Sequence, residues 1–319
     1  MAHRVLGQAS LADALVSPKA GTNPRLRRIA ELVDWSGFAA LLADLHASSA
    51  GRPSWPPLLM FRCLLLQQWY GLSDPAAEEA LNDRLSFRAF VGLALDEAAP
   101  DHSALSRFRT LLADRGLLEP LLDELNRQFD ARGLILREGT LIDASLVEAD
   151  AKPRRHRLGT RCESDRDARW TTRKGGTVFG YKAHIAVDAG SGLIRAAVLT
   201  PANIHDSAMA ERLIQGDEAA VYADRGYDQA ARRARLAERG IADGIMRRKQ
   251  RNTGPAEAAA IAARNRLLAP LRAPIERIFG IWKQWYGYRR VRYRSLLRNA
   301  AQLGLLVIAT NLRRALMLT

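Results

Sequence analysis

The chain has 319 residues, 48 Lys+Arg against 34 Asp+Glu, and a formal charge of +14. Apolar residues make up 48% of it, enough for packed cores and against disorder. Such a basic surplus in a globular chain points to a polyanionic partner, nucleic acid first and an anionic membrane surface second. Cys63 and Cys162 are the only cysteines, which excludes a disulfide framework and a CxxC metal knot and suits a reducing compartment. No apolar stretch followed by a cleavage signal opens the chain, and the longest apolar runs, 58–66 and 300–310, are too short to cross a bilayer. A soluble, cytoplasmic protein with no membrane partner is therefore expected.

Residues 1 to about 130 read as helix. Helical spacing of apolar residues recurs at 29–33, 38–45, 58–70, 76–82, 87–93, 103–112 and 117–129. The turn signals "GRPSWPP", "GLSDP" and "DEAAPDHS" separate these stretches. Ser73 and Ser103 suit helix N-caps, and Pro75 suits a first turn.

The texture changes at Leu134. "LILREGTLIDASLVEA" predicts a strand over 140–147, after a turn at Glu138-Gly139. The basic stretch that follows, through "RWTTRKGG", reads as a loop. "YKAHIAVDAGSGLIRAAVLTP" reads as a hairpin turning at 188–192. Then come a helix in "HDSAMAERLIQ", a short buried strand in "AAVYAD", a helix in "QAARRARLAERG" that stops at Gly240, and a strand in "DGIMRR". From about Glu257 the chain reads as helix, with breaks at Pro270 and Pro274. The sum is an all-helical domain over 1–130 and a mixed α/β domain over 131–319, the latter with an antiparallel start and βα units after it.

Three carboxylates stand out. Asp143 lies inside an apolar strand, where a carboxylate is costly unless paired, hydrogen-bonded or metal-bound. Asp224 ends a strand and opens "DRGYD", a position equally suited to a ligand site at a strand's carboxyl end and to a plain turn. Glu276 follows Pro274 in the first turn of a helix, where it complements the helix dipole. In that helix Ile275, Ile278, Phe279, Trp282 and Tyr286 make an apolar stripe. Glu276, Gly280, Lys283 and Gly287 make a second one, whose two glycines suggest close approach either of a DNA backbone or of another helix. Carboxylates from separate strand and helix ends form a holder for Mg²⁺, which takes a few acids and fills its other positions with water and phosphate. With two ions, one activates the attacking oxygen and the other steadies the leaving oxygen.

These motifs resemble those of a DDE transposase of a bacterial insertion sequence, of the IS-five-like group. The resemblance rests on "LIDASLVEAD", "FGYKAHIAVD", "YADRGYD" and "RAPIERIFGIWKQWYGYRRVRYR", with "LLLQQWYGLSDPAAEEALNDRLSFRAFVGL" and "PDHSALSRFR" in the helical half. It spans about 52–309. It implies an RNase H-like catalytic domain, a catalytic and metal-binding triad of Asp143, Asp224 and Glu276, and two Mg²⁺ ions for which Mn²⁺ can substitute. It also implies cleavage at the element's terminal inverted repeats, transfer of the 3′-hydroxyl to target DNA, a homo-oligomer on DNA and a place with the bacterial nucleoid. The family's last motif has a Tyr, then Arg, Glu and Lys. Arg272, Glu276 and Lys283 fit that spacing, while Ala269 stands where the Tyr would be.

On this reading Arg272, Lys283, Arg289, Arg290, Arg292, Arg294 and Arg298 take DNA phosphates. Trp282, Trp285, Tyr286 and Tyr288 offer stacking surfaces, although Trp282 and Tyr286 sit on the apolar stripe and suit the core better. The helical half binds terminal DNA or mediates dimerisation. Two rival functions keep the same fold: a DNA-binding remnant that no longer cuts, and a metal-dependent DNA nuclease. The remaining polar residues read blandly: Asp206 as a helix cap or first-turn acid, Asp188 as a hairpin residue, Asp101-His102-Ser103 as a helix start, and Lys174 and Lys182 as solvated surface by default, with DNA contact as the alternative. His205 is a weak candidate for touching the site.

Overall fold

The helical periodicity of the first half is realised as α1 (Pro24–Leu32), α2 (Trp35–Leu42), α3 (Pro57–Tyr70), α4 (Asp74–Asp83), α5 (Leu85–Val91), α6 (His102–Asp114) and α7 (Leu118–Ala131). The computed structural model describes residues 4, 6–8, 22–45, 53–153, 161–173 and 176–319. Starts are set by local side chains. Asn23 accepts from the Leu26 N–H, Asp34 from Ser36 N–H and Ser73 from Ala76 N–H. Ser103 is not the cap of α6. Asp101 is, accepting from Ala104 N–H at 2.7 Å, which leaves Ser103 inside the first turn. An ionised carboxylate is the stronger acceptor for those first N–H groups. The apolar faces meet in a core that includes Ile29, Phe38, Phe61, Leu64, Leu105, Phe108 and Leu112, each almost wholly buried. Such side chains contribute about 1.5–3 kcal/mol apiece relative to exposure.

The described chain divides into two compact units, Met1–Gln128 with Gly304–Thr319, and Phe129–Leu303. The C-terminal part of the last helix, α12 (Leu296–Ala315), thus groups with the helical residues, where the Trp69 indole N–H donates to the carbonyl of Ala309 at 2.9 Å. The second unit is built on β1 (Thr140–Glu148), β2 (Arg169–Arg173), β3 (Gly176–Asp188), β4 (Ile194–Pro201), β5 (Ala220–Ala223) and β6 (Ala242–Ile245), with the short α8 (Ala210–Leu213) between β4 and β5 and α9 (Ala230–Glu238) between β5 and β6. β1 is central, antiparallel to β3 on one side and parallel to β5 on the other, and β5 is parallel to β6. β2 and β4 run end to end along the far edge of β3, pairing with its first and second halves. This is the RNase H-like mixed sheet expected of the domain. Ile142, Ala186, Leu213, Val221, Tyr227, Leu236 and Ile245 form the core on one side of it.

Two further sequence expectations differ from the structure. The stretch read as a loop contains β2, because Trp170 and the two threonines after it offer a β-favouring edge that the first half of β3 can pair; residues 154–160 of that stretch lie outside the described residues. Pro270 does not break its helix. α10 runs unbroken over Pro255–Arg272, since the proline sits in the last turn and the Ala273 N–H still reaches Ala269 O at 3.1 Å. The break comes at Pro274, which opens α11 (Pro274–Trp285).

Candidate active site

Strand register brings the first two acids together. Ile142 on β1 pairs with Ala223 on β5, so Asp143 and Asp224 come next on adjacent parallel strands. β5 ends there because Asp224 turns the chain: its Oδ1 accepts from the Gly226 N–H at 2.7 Å and opens a single 3₁₀ turn, Arg225–Tyr227. The Asp143 side chain is 18% exposed. Burial pushes its carboxyl up to about 6, against the pull of the Ala144 N–H and the Arg272 guanidinium; Asp224 and Asp206 push the same way as burial.

Glu276 arrives from the other direction. α11 starts at Pro274 and presses Ile275, Ile278, Phe279 and Trp282 inward, packing against β1. That leaves Glu276 in the exposed part of the first turn, 61% accessible. Arg272, at the end of α10, joins the acids: Nη1 donates to Asp143 Oδ2 at 2.8 Å and Nη2 to Glu276 Oε1 at 2.5 Å. Among the described residues no three Asp, Glu, His or Cys side chains stand close enough to hold one ion between them. The donor set nonetheless suits a hard divalent ion, because every candidate ligand is a carboxylate oxygen and a cation is already held between Asp143 and Glu276.

A cationic rim lies beside the acids. Lys283 is half-buried in a crevice with Ser145, Val147, Ala183, Phe279, Trp282 and Tyr288. Burial, with Arg173 and Arg289 nearby, pulls its ammonium below the ordinary lysine range. Between Glu276 and Lys283 on the helix, Gly280 has open space where a side chain would stand, so helix packing does not explain it. Gly287 is not inside the helix: α11 ends at Trp285, and Gly287 adopts φ +66 just beyond it, a stop rather than a close-approach site. The basic run is then tied to the end of β1, with Glu148 N–H donating to Arg289 O at 2.9 Å and Val291 N–H to Glu148 O at 2.8 Å. Arg289, Arg290, Arg292, Arg294 and Arg298 are exposed. Of these, Arg290 lies 3.8 Å from Glu148 and Arg294 3.5 Å from Asp150. Of the four aromatic candidates for stacking, Trp282, Tyr286 and Tyr288 are buried, which leaves Trp285, 78% exposed.

Other sequence readings shift. Lys182 is not solvated. Its side chain is 12% exposed and its ammonium lies 2.7 Å from Asp206 Oδ1. Asp206 follows His205, whose Nδ1 caps the turn, and its charge bears on Asp143 and Tyr227. Asp188 is fully buried and accepts from the Leu136 and Arg137 N–H groups, a structural hairpin residue. Lys174 lies outside the described residues. Sequence reasoning passed over Lys182 with Asp206, and Tyr227. The available signal was Lys182 and His184 recurring on one face of an otherwise apolar strand, polar groups that need partners.

Residues 135–312 match the family profile described as Transposase DDE domain, and residues 13–111 match the one described as Transposase domain (DUF772). Among solved structures, the chain is similar to a piggyBac transposase in a synaptic complex with hairpin DNA, with 9% identity and a TM-score of 0.41. That match covers 90% of this chain and 73% of the other. It is similar as well to a chain of a pre-cleavage Mos1 transpososome, with 10% identity and a TM-score of 0.21 over 93% of this chain and 98% of the other. The first profile spans more than half of the residues, from before β1 to the last helix, and takes in all three candidate acids. The chain belongs to the transposase family defined by the DDE domain.

Proposed function

We propose that the chain is an insertion-sequence transposase of the IS-five-like group, bacterial in origin, working on DNA at the nucleoid. In this reading Asp143, Asp224 and Glu276 are the catalytic acids and hold two Mg²⁺ ions, with Mn²⁺ able to substitute. The observation that carries it is that three acids from three elements are linked by strand register and by one arginine. Strand register makes Asp143 and Asp224 neighbours, and Arg272 bonds both Asp143 and Glu276. Bound divalent ions supply an activated water or 3′-hydroxyl and stabilise the leaving oxygen of an in-line displacement.

The chain's own residues do the rest. Arg272 balances the charge of Asp143 and Glu276 while no other cation is there. Once divalent ions take over that charge balance, it exchanges one of these carboxylates for a DNA phosphate. Lys283, next to the open space at Gly280, contacts the DNA near the cleaved end. Arg289, Arg290, Arg292 and Arg294 neutralise backbone charge along the rim, and Trp285 supplies the exposed ring for an unpaired base. Residues 1–130 serve terminal-repeat binding or dimerisation of a homo-oligomer on DNA, and 131–319 serve catalysis.

The test is strand joining. Purified protein, with a labelled terminal-repeat duplex and a target plasmid in Mg²⁺ or Mn²⁺, is compared with Glu276→Gln. Metal-dependent joined products that disappear in the variant while DNA binding persists are the expected result. Free cut ends without joining identify a nuclease instead. DNA binding with neither reaction in the wild type, under either metal, identifies a remnant.

A further inference from the structure

Tyr227 is 1% exposed, and its hydroxyl has no hydrogen-bond partner among the described residues. Leaving a buried polar group unsatisfied costs about 1–3 kcal/mol, so a phenol in place of a phenyl ring here needs a reason. The turn that carries it is held firmly. Arg232, 2% exposed, donates to the Tyr227 carbonyl at 2.5 Å, to Ser207 Oγ at 3.0 Å and to Ser207 O at 2.8 Å. One guanidinium thus clamps the turn that begins at Asp224 to the turn that begins at Asp206.

Asp206 is fixed as well. Lys182 Nζ lies 2.7 Å from its Oδ1 and donates to the Ile204 carbonyl at 2.7 Å. Yet Asp206 Oδ1 receives no well-directed hydrogen bond among the described residues. Lys182 stands on β3, the strand paired with β1. A buried phenol hydroxyl without an acceptor and a carboxylate held by one lysine are therefore within electrostatic reach of Asp143 and Asp224. After burial, the charges acting on the Tyr227 phenol are Asp206, Asp143 and Asp224, in that order, with Arg232 acting the other way. A phenol facing these carboxylates keeps its proton, so its hydroxyl has a hydrogen to donate.

Building on the triad proposed above, we propose that Tyr227 is a positioning residue of the metal site. Its hydroxyl donates to the Asp143–Asp224 carboxylates once they hold a divalent ion, while Asp206, steadied by Lys182, closes the pocket behind them. Carboxylates that ligate metals are themselves oriented by hydrogen bonds from outside the ligand set, and losing such a bond typically weakens metal affinity by about 10–100-fold. A ring that only fills the core behaves differently: removing its unsatisfied hydroxyl relieves a cost and leaves metal binding alone.

The experiment is Mn²⁺ titration of the full chain followed by electron paramagnetic resonance, with thermal melting of the metal-free protein alongside. Tyr227→Phe is expected to bind Mn²⁺ about tenfold more weakly while melting at or above the wild-type temperature. Wild-type Mn²⁺ affinity in Tyr227→Phe overturns the proposal. Asp224→Asn separates the two levels of the reading. If it binds Mn²⁺ like the wild type, the metal site itself is misassigned and this inference falls with it; if it loses Mn²⁺ while Tyr227→Phe keeps it, only the role of Tyr227 is wrong. Should Tyr227→Phe not fold, Asp206→Asn takes its place. Weaker Mn²⁺ binding there supports the pocket, and unchanged binding overturns it.

Discussion

Arg109 in the helical unit and Arg290 in the sheet unit are the same side chain under opposite conditions. The Arg109 side chain is 6% exposed. It is paired with Asp74 and donates to Gln67 Oε1 at 3.0 Å. Arg88 is similar, 5% exposed with its guanidinium spent on the carbonyls of Leu81, Ala94, Leu95 and Glu97. The Arg290 side chain is 58% exposed, and its nearest acid, Glu148, is 3.8 Å away. A charge buried with its partners is part of the fold, because removing one partner strands the other in low dielectric. A charge in water is worth little to stability, and its field is open to a polyanion. The basic surplus that first suggested nucleic acid is therefore not one population. The helical unit spends Arg88 and Arg109 on its own interior, whereas the segment after α11 presents its arginines outward from a backbone anchored on β1.

The widest separation between the two classes is expected at Arg109. Arg109→Met should cost about 3–5 kcal/mol of folding free energy by urea denaturation, since Asp74 loses its buried partner. A loss below about 1 kcal/mol would mean that this arginine belongs with the surface class. His184 extends the comparison to a titratable group. It is fully buried against Thr200 Oγ1, and burial pushes its imidazole down to about 4 from 6.5. Between about pH 6.5 and 4 the unfolded chain takes up a proton that the folded chain refuses. The contribution is therefore complete above that window and lost on descending through it, by up to about 3 kcal/mol. Comparing wild type with His184→Gln from pH 7 to 4 isolates it, and parallel stability curves would show that His184 protonates freely in the fold. The smallest effect belongs to Arg290. Arg290→Gln should leave the melting temperature unchanged and reduce the slope of log affinity for DNA against log salt by about one. An unchanged slope with reduced stability would reverse its assignment.

Arg272 falls between these classes, and it marks the limit of what was legible. Its spacing from Glu276 and Lys283 singled it out as a phosphate contact, but no local pattern places it against Asp143, which is 129 residues distant in sequence. The helices, the hairpin, the buried strands at Asp143 and Asp224, and the apolar stripe of α11 were readable because periodicity and turn chemistry are local. β2 was missed because an edge strand of five residues gains its pairing from β3 rather than from its own pattern. Pro270 misled because a proline near a helix end costs less than one at its centre.

The sequence by itself determined the basic surplus, the mixed sheet after an all-helical start, and which three acids deserved attention. Each of these follows from composition or from spacing within one element. Tertiary structure alone decided the rest: that Gly280 faces open space while Gly287 ends a helix, that three of four aromatic candidates are core, and that Lys182 and Asp206 are a pair next to an unsatisfied Tyr227. Those outcomes depend on burial and on partners from distant segments. Burial sets whether a polar group costs or contributes, and only the assembled sheet and helices fix it.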